Sequence, residues 1–145
     1  MPKPYFIVVT GRPGSGKTTF SGKLGAEICM PVISRDRIKE GYLHTWGKSH
    51  RELPDDTNQA ATDIFFHTLM GLIENNVSVI AEAAFQHRVW SKMLAPFMDQ
   101  ARICLLICKV DEKIALDRYV RRGLDHPLRE YFHGDKGVDM ARNGM

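Results

Sequence analysis

A glycine-rich segment near the start of the chain contains residue types that could hold a polyphosphate. Residues 11–18 read GRPGSGKT and match the pattern G-x-x-x-x-G-K-[ST] at every fixed position, directly after an apolar run at residues 5–9. Glycines let the backbone curl so that successive N–H groups point at phosphate oxygens. In this pattern the lysine reaches the β- and γ-phosphates, and the hydroxyl after it is a ligand for Mg²⁺. We predict a nucleotide-phosphate site formed by Gly11, Pro13, Gly14, Ser15, Gly16, Lys17, Thr18 and Thr19.

The elements that must position this segment, called the P-loop from here on, alternate between strand and helix. Apolar runs predict strands over residues 5–10, 32–34, 77–81 and 103–110. Helical spacing and helix-stop signals predict helices over residues 17–29, 36–43, 58–74, 87–97 and 112–122, and residues 46–56 are predicted to form a loop. Such alternation indicates a parallel sheet. We predict an α/β fold of three α/β/α layers, with a parallel sheet of four or five strands.

Length and composition indicate a single domain. The chain has 145 residues, of which 43% are hydrophobic, enough for one core and too few for two ordinary domains. No apolar run approaches the roughly 20 residues that span a bilayer, and the first residues, MPKP, lack a signal-peptide apolar region, so we expect a soluble, cytoplasmic protein. The three cysteines form no C-x-x-C pair, and we expect Cys29, Cys104 and Cys108 to be buried small hydrophobic residues in a reducing compartment.

A carboxylate follows the second predicted strand, and ligands of open parallel sheets bind beyond the carboxyl ends of the strands. There Asp36 would lie beside the γ-phosphate, where a general base for an attacking hydroxyl is needed. Helix capping is a compatible alternative, since aspartate is a favoured N-cap. Lys39 lies one turn later on the same face and could contact an anionic acceptor or the transferring phosphoryl group. A solvated charged face explains Lys39, Arg35 and Arg37 equally well.

Two acids compete for the metal. Glu82 follows the third predicted strand, where P-loop proteins commonly keep an acid near Mg²⁺. Asp111 follows the fourth strand but directly precedes a helical pattern, so helix capping is its simpler explanation. We therefore predict that Thr18 and Glu82 bind the metal.

An arginine cluster lies on one side of the last predicted helix, at positions i, i+3 and i+4. Its members are Arg118, Arg121 and Arg122. Planar guanidinium groups suit phosphate clamping, because they neutralise charge that is spread over several oxygens. A solvated basic face is the alternative. We predict catalytic roles for Arg118 and Arg122 in stabilising the charge that develops during phosphoryl transfer.

Four segments together resemble a known group of enzymes. The P-loop, SRDRIK at residues 34–39, VIAE at residues 79–82 and the arginine cluster, in this order, resemble the small P-loop kinases of the polynucleotide kinase, gluconate kinase and zeta-toxin type, which are AAA-domain-like ATP-binding proteins. The resemblance covers about residues 5–125. It implies a P-loop NTPase fold over residues 1–145 as one nucleotide-binding domain. It also implies a small helical lid over about residues 112–135.

The same resemblance implies roles for individual residues. Asp36 would activate the acceptor hydroxyl, and Lys39, in place of the more usual arginine, would contact the acceptor or the reactive phosphate. Such kinases usually continue past the lid into a fifth strand and a final helix, which implies that a chain ending at Met145 is either C-terminally shortened or a minimal version of such a kinase.

The leading hypothesis is an Mg²⁺-dependent kinase that transfers the γ-phosphate of ATP to a hydroxyl, with Lys17 and the P-loop amides holding the phosphates. We expect a hydroxyl-bearing small molecule more than a nucleic-acid 5′ end, because the net charge is only +3 and the basic residues form a thin stripe. A nucleotide-binding or regulatory module that hydrolyses ATP slowly without an acceptor is the second hypothesis. A GTPase is disfavoured because no N-K-x-D or D-x-x-G element follows the P-loop, and an AAA+ motor because the chain has little room for its additional helical domain.

Overall fold

The computed structural model describes residues 2–47 and 56–109. Within these ranges the chain forms, in order, β1 (Tyr5–Gly11), α1 (Lys17–Ile28), β2 (Val32–Ser34), α2 (Arg35–Trp46), α3 (Thr57–Glu74), β3 (Val79–Glu82), α4 (His87–Leu94), a 3₁₀ turn (Ala95–Phe97) and β4 (Arg102–Cys108). No helix in these two ranges combines the length and hydrophobicity that crossing a membrane requires.

The four strands form one parallel sheet in the order β2-β3-β1-β4. The connection from β1 through α1 to β2 runs in one direction across the strand order. The connection from β3 through α4 to β4 runs in the opposite direction. Because parallel crossovers are right-handed, helices that connect in opposite directions lie on opposite faces of the sheet. The predicted α/β fold with a parallel sheet is confirmed. Because the strands are parallel, the carboxyl ends of all four lie at the same end of the sheet as the P-loop.

The two faces of the sheet bury different side chains, as the alternation of a strand requires. On one face, Phe6 and Val79 belong to a core cluster that also contains the apolar side of α3. On the other face α1 approaches closely: a Cβ placed on Gly25 would lie 2.5 Å from Cγ2 of Val32 and 3.7 Å from Cδ1 of Ile80. Polar side chains that lie two residues from Val32 or Ile80 in the same strand therefore also face α1.

Four aromatic side chains fix the loop after β3 against α3 and α4. Phe85 stacks on Phe66 with ring centroids 5.6 Å apart, and both rings meet Trp90 edge-on. Phe65 makes edge contacts with the same three rings. The buried indole Nε1 of Trp90 donates a hydrogen bond of 3.0 Å to the hydroxyl of Thr10 near the end of β1. Aromatic packing of this kind holds the carboxyl ends of β1 and β3 in place.

Several predicted boundaries differ from the structure, among them those of α2 and β3. Helix α2 continues three residues past its predicted end at residue 43, because Leu43 is fully buried and the helix stops only where Gly47 adopts a left-handed φ of 64°. Trp46 is thus helical rather than the first residue of a loop, and residues 48–55 lie outside the described ranges. Strand β3 begins at Val79 rather than at residue 77, and Glu82 is its last residue.

The expectation that the cysteines are buried is wrong for two of the three. Cys29 is exposed, since it caps the surface end of α1 with a left-handed φ of 55°. Cys104 is exposed because β4 is an edge strand of the described sheet, and its neighbour Leu105 is 52% exposed as well. Cys108 is half-buried.

Candidate functional site

The P-loop turns tightly between β1 and α1. Gly14 and Gly16 have φ values of 84° and 86°, which residues with a side chain rarely adopt. A Cβ on Gly11 would lie 2.6 Å from the carbonyl oxygen of Cys108 and 2.6 Å from Oγ of Ser15. The glycines of the sequence pattern are therefore required by backbone conformation and by close approach to β4.

The turn leads into a helix end that suits an anion. Gly16 precedes α1 without a side-chain cap, and no acidic residue lies in the first turn of that helix. Lys17, the first residue of α1, is only 5% exposed. The buried hydroxyl of Ser15 has no hydrogen-bond partner among the described residues. An uncapped helix N-terminus, a buried lysine and an unsatisfied hydroxyl together fit a bound polyphosphate.

A carboxylate lies against the hydroxyl that ends the P-loop pattern. The hydroxyl of Thr18 donates to Oε1 of Glu82 at 2.5 Å, and Ser34 donates to Oε2 of the same carboxylate at 2.9 Å. Glu82 is 2% exposed. Hydroxyl and carboxylate oxygens are ligands that Mg²⁺ prefers, and Mg²⁺ is commonly held by one or two carboxylates together with substrate phosphates. The two residues predicted to bind metal, Thr18 and Glu82, thus lie together and fit that ion.

No group of three or more His, Cys, Asp or Glu side chains suited to a metal occurs within residues 2–47 and 56–109. Within these ranges Glu82 is the carboxylate that contacts Thr18. An ion that takes most of its remaining ligands from phosphate and water matches this single carboxylate.

The start of α2 places Asp36 at the same edge of the sheet. Ser34 is the N-cap of α2, and its hydroxyl accepts a hydrogen bond of 3.4 Å from the backbone N–H of Arg37. Capping by Asp36, the alternative explanation for that residue, is therefore wrong. The Asp36 side chain is 44% exposed, and its Oδ1 lies 3.7 Å from Nη1 of Arg35. Its carboxylate is accessible to a solute.

The basic residues of α2 have different environments. Arg37 is a surface residue, with a 74% exposed side chain that pairs with Glu40 at 3.1 Å. Lys39 is only 2% exposed. Because lysine is almost never buried without a partner, a solvated charged face explains Arg37 and does not explain Lys39. Lys39 also lies three residues after Asp36, on the same side of the helix.

Arg35 joins the start of α2 to the start of α3. Its Nη2 donates to the backbone oxygen of Asn58 at 2.8 Å and to Oδ1 of the same residue at 3.2 Å. Burial lowers the pKa of Arg35, and the neighbouring Asp36 opposes that shift. The guanidinium remains charged at neutral pH, because its ordinary pKa lies far above 7. Arg35 thereby fixes the helix turn that contains Asp36.

A groove of about 340 Å³ opens between the P-loop and the end of β4. It is lined by Gly11, Arg12, Ser15, Ile107, Cys108 and Lys109. Cys108 is aligned with Gly11 in the parallel register of β1 and β4. Burial raises the pKa of the Cys108 thiol; Lys17 acts in the opposite direction and Glu82 adds to the increase. The groove therefore adjoins the P-loop on the side of β4.

Cys108 should report occupancy of this groove. In a Cys29→Ser/Cys104→Ser variant we expect slow labelling by a maleimide, with a pH midpoint above that of an ordinary thiol, because burial favours the neutral form and the thiolate is the nucleophile. ATP with Mg²⁺ should slow it further. Mass spectrometry after timed labelling between pH 7 and 10 measures both effects.

The control for this labelling is the Cys29→Ser/Cys108→Ser variant, which retains the exposed Cys104. It should label faster, with no response to ATP. Equal rates at Cys104 and Cys108 would contradict the expected protection by burial.

The remaining predicted site residues are either exposed or outside the described ranges. Pro13 and Thr19 are exposed, Pro13 in the P-loop turn and Thr19 in the first turn of α1. Asp111, the predicted lid over residues 112–135 and the predicted catalytic residues Arg118 and Arg122 lie outside the described residues.

Two residues of the site had no predicted role. Ser34 contacts Glu82, and Cys108 lines the groove beside the P-loop. Each is the last residue of its strand, and ligands of open parallel sheets bind beyond this end. The sequence marked this position for Ser34 but not for Cys108, because the fourth strand was predicted to continue to residue 110. Their partners become apparent only from the strand order, which places β2 beside β3 and β4 beside β1.

Comparison with known proteins agrees with this geometry. A family model described as "AAA domain" matches residues 6–136. Among curated proteins, none matches the sequence significantly. The solved structure of a candidate kinase from Chloroflexus aurantiacus is similar, with a TM-score of 0.80 and 25% identity over 88% of this chain and 71% of that one.

Two more distant structures share the fold. A chain of an RNA repair complex gives a TM-score of 0.72 at 18% identity and is matched over 47% of its length by all of this chain. A gluconokinase from Sinorhizobium meliloti gives 0.53 at 16% identity, over 96% of this chain and 73% of that one. The predicted resemblance to small P-loop kinases is confirmed. Because the family model spans most of the sequence and the parallel sheet agrees with it, the chain belongs to the AAA domain family.

Proposed function

We propose that this chain is an Mg²⁺-dependent phosphotransferase that moves the γ-phosphate of ATP to a hydroxyl of a small molecule. The observation that supports it most is the contact set of Glu82. This carboxylate joins Thr18 of the P-loop to Ser34 at the end of β2, two residues before Asp36. A phosphate site, a metal site and an accessible carboxylate at one sheet edge are the parts that transfer to a hydroxyl needs.

The proposed roles follow from the environments of the residues. The P-loop amides and Lys17 bind the phosphates, and Thr18 and Glu82 hold Mg²⁺. An ion held there would neutralise charge on the phosphates. Asp36 accepts the proton of the attacking hydroxyl, a role that needs an accessible carboxylate, and its side chain is 44% exposed. Lys39 lies on the same side of α2 and is proposed to stabilise the anionic acceptor or the transferring group.

Two parts of the proposal concern residues outside the described ranges. Arg118 and Arg122 are proposed to stabilise the charge that develops on the phosphates, as members of a lid over residues 112–135. Residues 1–145 are proposed to act as one nucleotide-binding domain.

The acceptor class is proposed from the relatives and from charge. A gluconokinase shares the fold, which favours a polyhydroxyl small molecule, and an RNA repair complex contains a chain of similar fold, which makes a nucleic-acid 5′ end the competing acceptor. The net charge of +3 over 145 residues is low for a nucleic-acid-binding surface. We therefore propose a small hydroxyl compound.

The test is transfer of label from γ-labelled ATP, with Mg²⁺, to a panel of sugars, sugar acids, nucleosides and 5′-hydroxyl oligonucleotides. We expect a labelled small molecule. Label only on oligonucleotides would show that the acceptor is a nucleic acid and not a small molecule, while the proposed phosphoryl transfer would still hold. Nucleotide binding with release of inorganic phosphate and no labelled acceptor would favour the ATPase-module alternative and contradict the proposed transfer.

A further inference from the structure

Both oxygens of the Glu82 carboxylate are engaged by hydroxyl groups. Thr18 donates to Oε1 at 2.5 Å, and Ser34 donates to Oε2 at 2.9 Å. Glu82 is 2% exposed, and a buried polar group is costly unless it is hydrogen-bonded. One of these partners belongs to the phosphate site, and the other belongs to the neighbouring strand.

Strand register brings Ser34 to this place. Ser34 and Glu82 are paired residues in the parallel ladder of β2 and β3, and both face α1. The contact is thus set by two adjacent strands and does not depend on a loop. Such a hydrogen bond fixes the rotation of the carboxylate. Groups that hydrogen-bond to a metal ligand without binding the metal themselves strongly affect metal affinity.

The same hydroxyl also defines the start of α2. Oγ of Ser34 accepts the backbone N–H of Arg37 at 3.4 Å while it donates to Glu82. One side chain therefore connects the carboxylate on the metal side to the helix turn that contains Asp36. We propose that Ser34 is a positioning residue, which orients Glu82 for Mg²⁺ and aligns the start of α2 with the metal.

This inference rests on the proposed function, since it assumes that Thr18 and Glu82 hold Mg²⁺. Its direct consequence concerns binding. Without the Ser34 hydroxyl, Oε2 of a buried carboxylate loses its donor and the carboxylate can rotate. If Thr18 and Glu82 hold Mg²⁺, nucleotide affinity increases with Mg²⁺ concentration. The Mg²⁺ concentration that gives half of this increase, the half-saturation point, should rise about tenfold, which is the lower end of the effects seen when such supporting groups are removed.

The experiment measures the affinity of a fluorescent ATP analogue over a series of Mg²⁺ concentrations. Ser34→Ala and Ser34→Gly both remove the hydroxyl, while Ser34→Thr retains it. Glycine is tolerated at an N-cap far better than alanine, so the two variants separate the contact with Glu82 from the cap. Ser78→Ala is the matched control, because Ser78 accepts a hydrogen bond of 2.9 Å from the N–H of Tyr5 outside this network.

We expect the Mg²⁺ half-saturation point to shift about tenfold in both Ser34→Ala and Ser34→Gly, and to stay near that of the unmodified chain in Ser34→Thr and Ser78→Ala. A shift in Ser34→Ala alone would assign the effect to the helix cap and overturn the proposed role of Ser34 in orienting Glu82. Unchanged half-saturation in Ser34→Gly, shown to be folded by cooperative thermal unfolding, would also overturn it.

The unmodified chain distinguishes failure of this inference from failure of the proposed function. If nucleotide binding by the unmodified chain does not respond to Mg²⁺, the proposed metal site is wrong and the role of Ser34 falls with it. If binding responds to Mg²⁺ in the unmodified chain and identically in Ser34→Gly, only the role of Ser34 is wrong.

Discussion

Replacement of Asp36 by asparagine should lower the rate of phosphoryl transfer by about 10²- to 10⁴-fold, the usual contribution of a general base, while the affinity for ATP stays unchanged. Asparagine keeps the shape of the side chain but has no basic oxygen. The local structure should persist, because Ser34 and not Asp36 caps α2. The lost ion pair with Arg35 spans 3.7 Å at a side chain that is 44% exposed, so its contribution to stability is small.

The measurement is the turnover number with the best acceptor from the panel, together with a titration of ATP binding. Asp63→Asn is the matched control, because Asp63 is also an exposed carboxylate in a helix and accepts a hydrogen bond of 2.8 Å from Gln59. Unchanged turnover in Asp36→Asn would remove Asp36 from the mechanism. A parallel loss of ATP affinity would instead assign Asp36 to nucleotide binding.

Replacement of Lys17 by methionine should weaken ATP binding by about 10- to 100-fold, which corresponds to the roughly 1.5–3 kcal/mol of a lost hydrogen bond to a charged group. Lys17 is the first residue of α1 and is 5% exposed, so its ammonium acts where little water can replace it. Methionine fills a similar volume without charge. Transfer should fall at least as much as binding, since the lysine of this sequence pattern reaches the β- and γ-phosphates in P-loop proteins.

Calorimetric titration with ATP and with AMP measures this effect and its location. AMP lacks the β- and γ-phosphates, so Lys17→Met should change its affinity far less. Lys23→Met is the control, because Lys23 is an exposed lysine of the same helix. Equal losses for ATP and AMP, or an equal effect of Lys23→Met, would mean that Lys17 does not contact the distal phosphates.

The regular elements and the P-loop could be predicted from sequence because their causes are local. Hydrophobic periodicity within a few residues predicted all four described strands and the helices between them. The turn of the P-loop depends on glycine, whose conformational freedom follows from residue type alone, as the φ values of Gly14 and Gly16 confirm. The alternation of strand and helix then led to the parallel sheet. Family membership was equally accessible, since the motifs that indicate it are contiguous.

Other features depended on neighbours that are distant in the sequence. The burial of Lys39, the exposure of Cys104 and the extension of α2 to Trp46 follow from which elements pack together. A lysine on an amphipathic helix and a cysteine in an apolar strand look the same in sequence whether or not another element covers them. Local pattern therefore predicted the elements but not these environments.

The sequence by itself determined the P-loop, the order of strands and helices, and the acids at the strand ends. Only the tertiary structure decided which side chains these acids contact. The partners of Glu82 are 64 and 48 residues away in the sequence, at Thr18 and Ser34. They meet because β3 lies between β1 and β2. Local propensity does not specify that order, which depends on how the whole chain buries the two faces of one sheet.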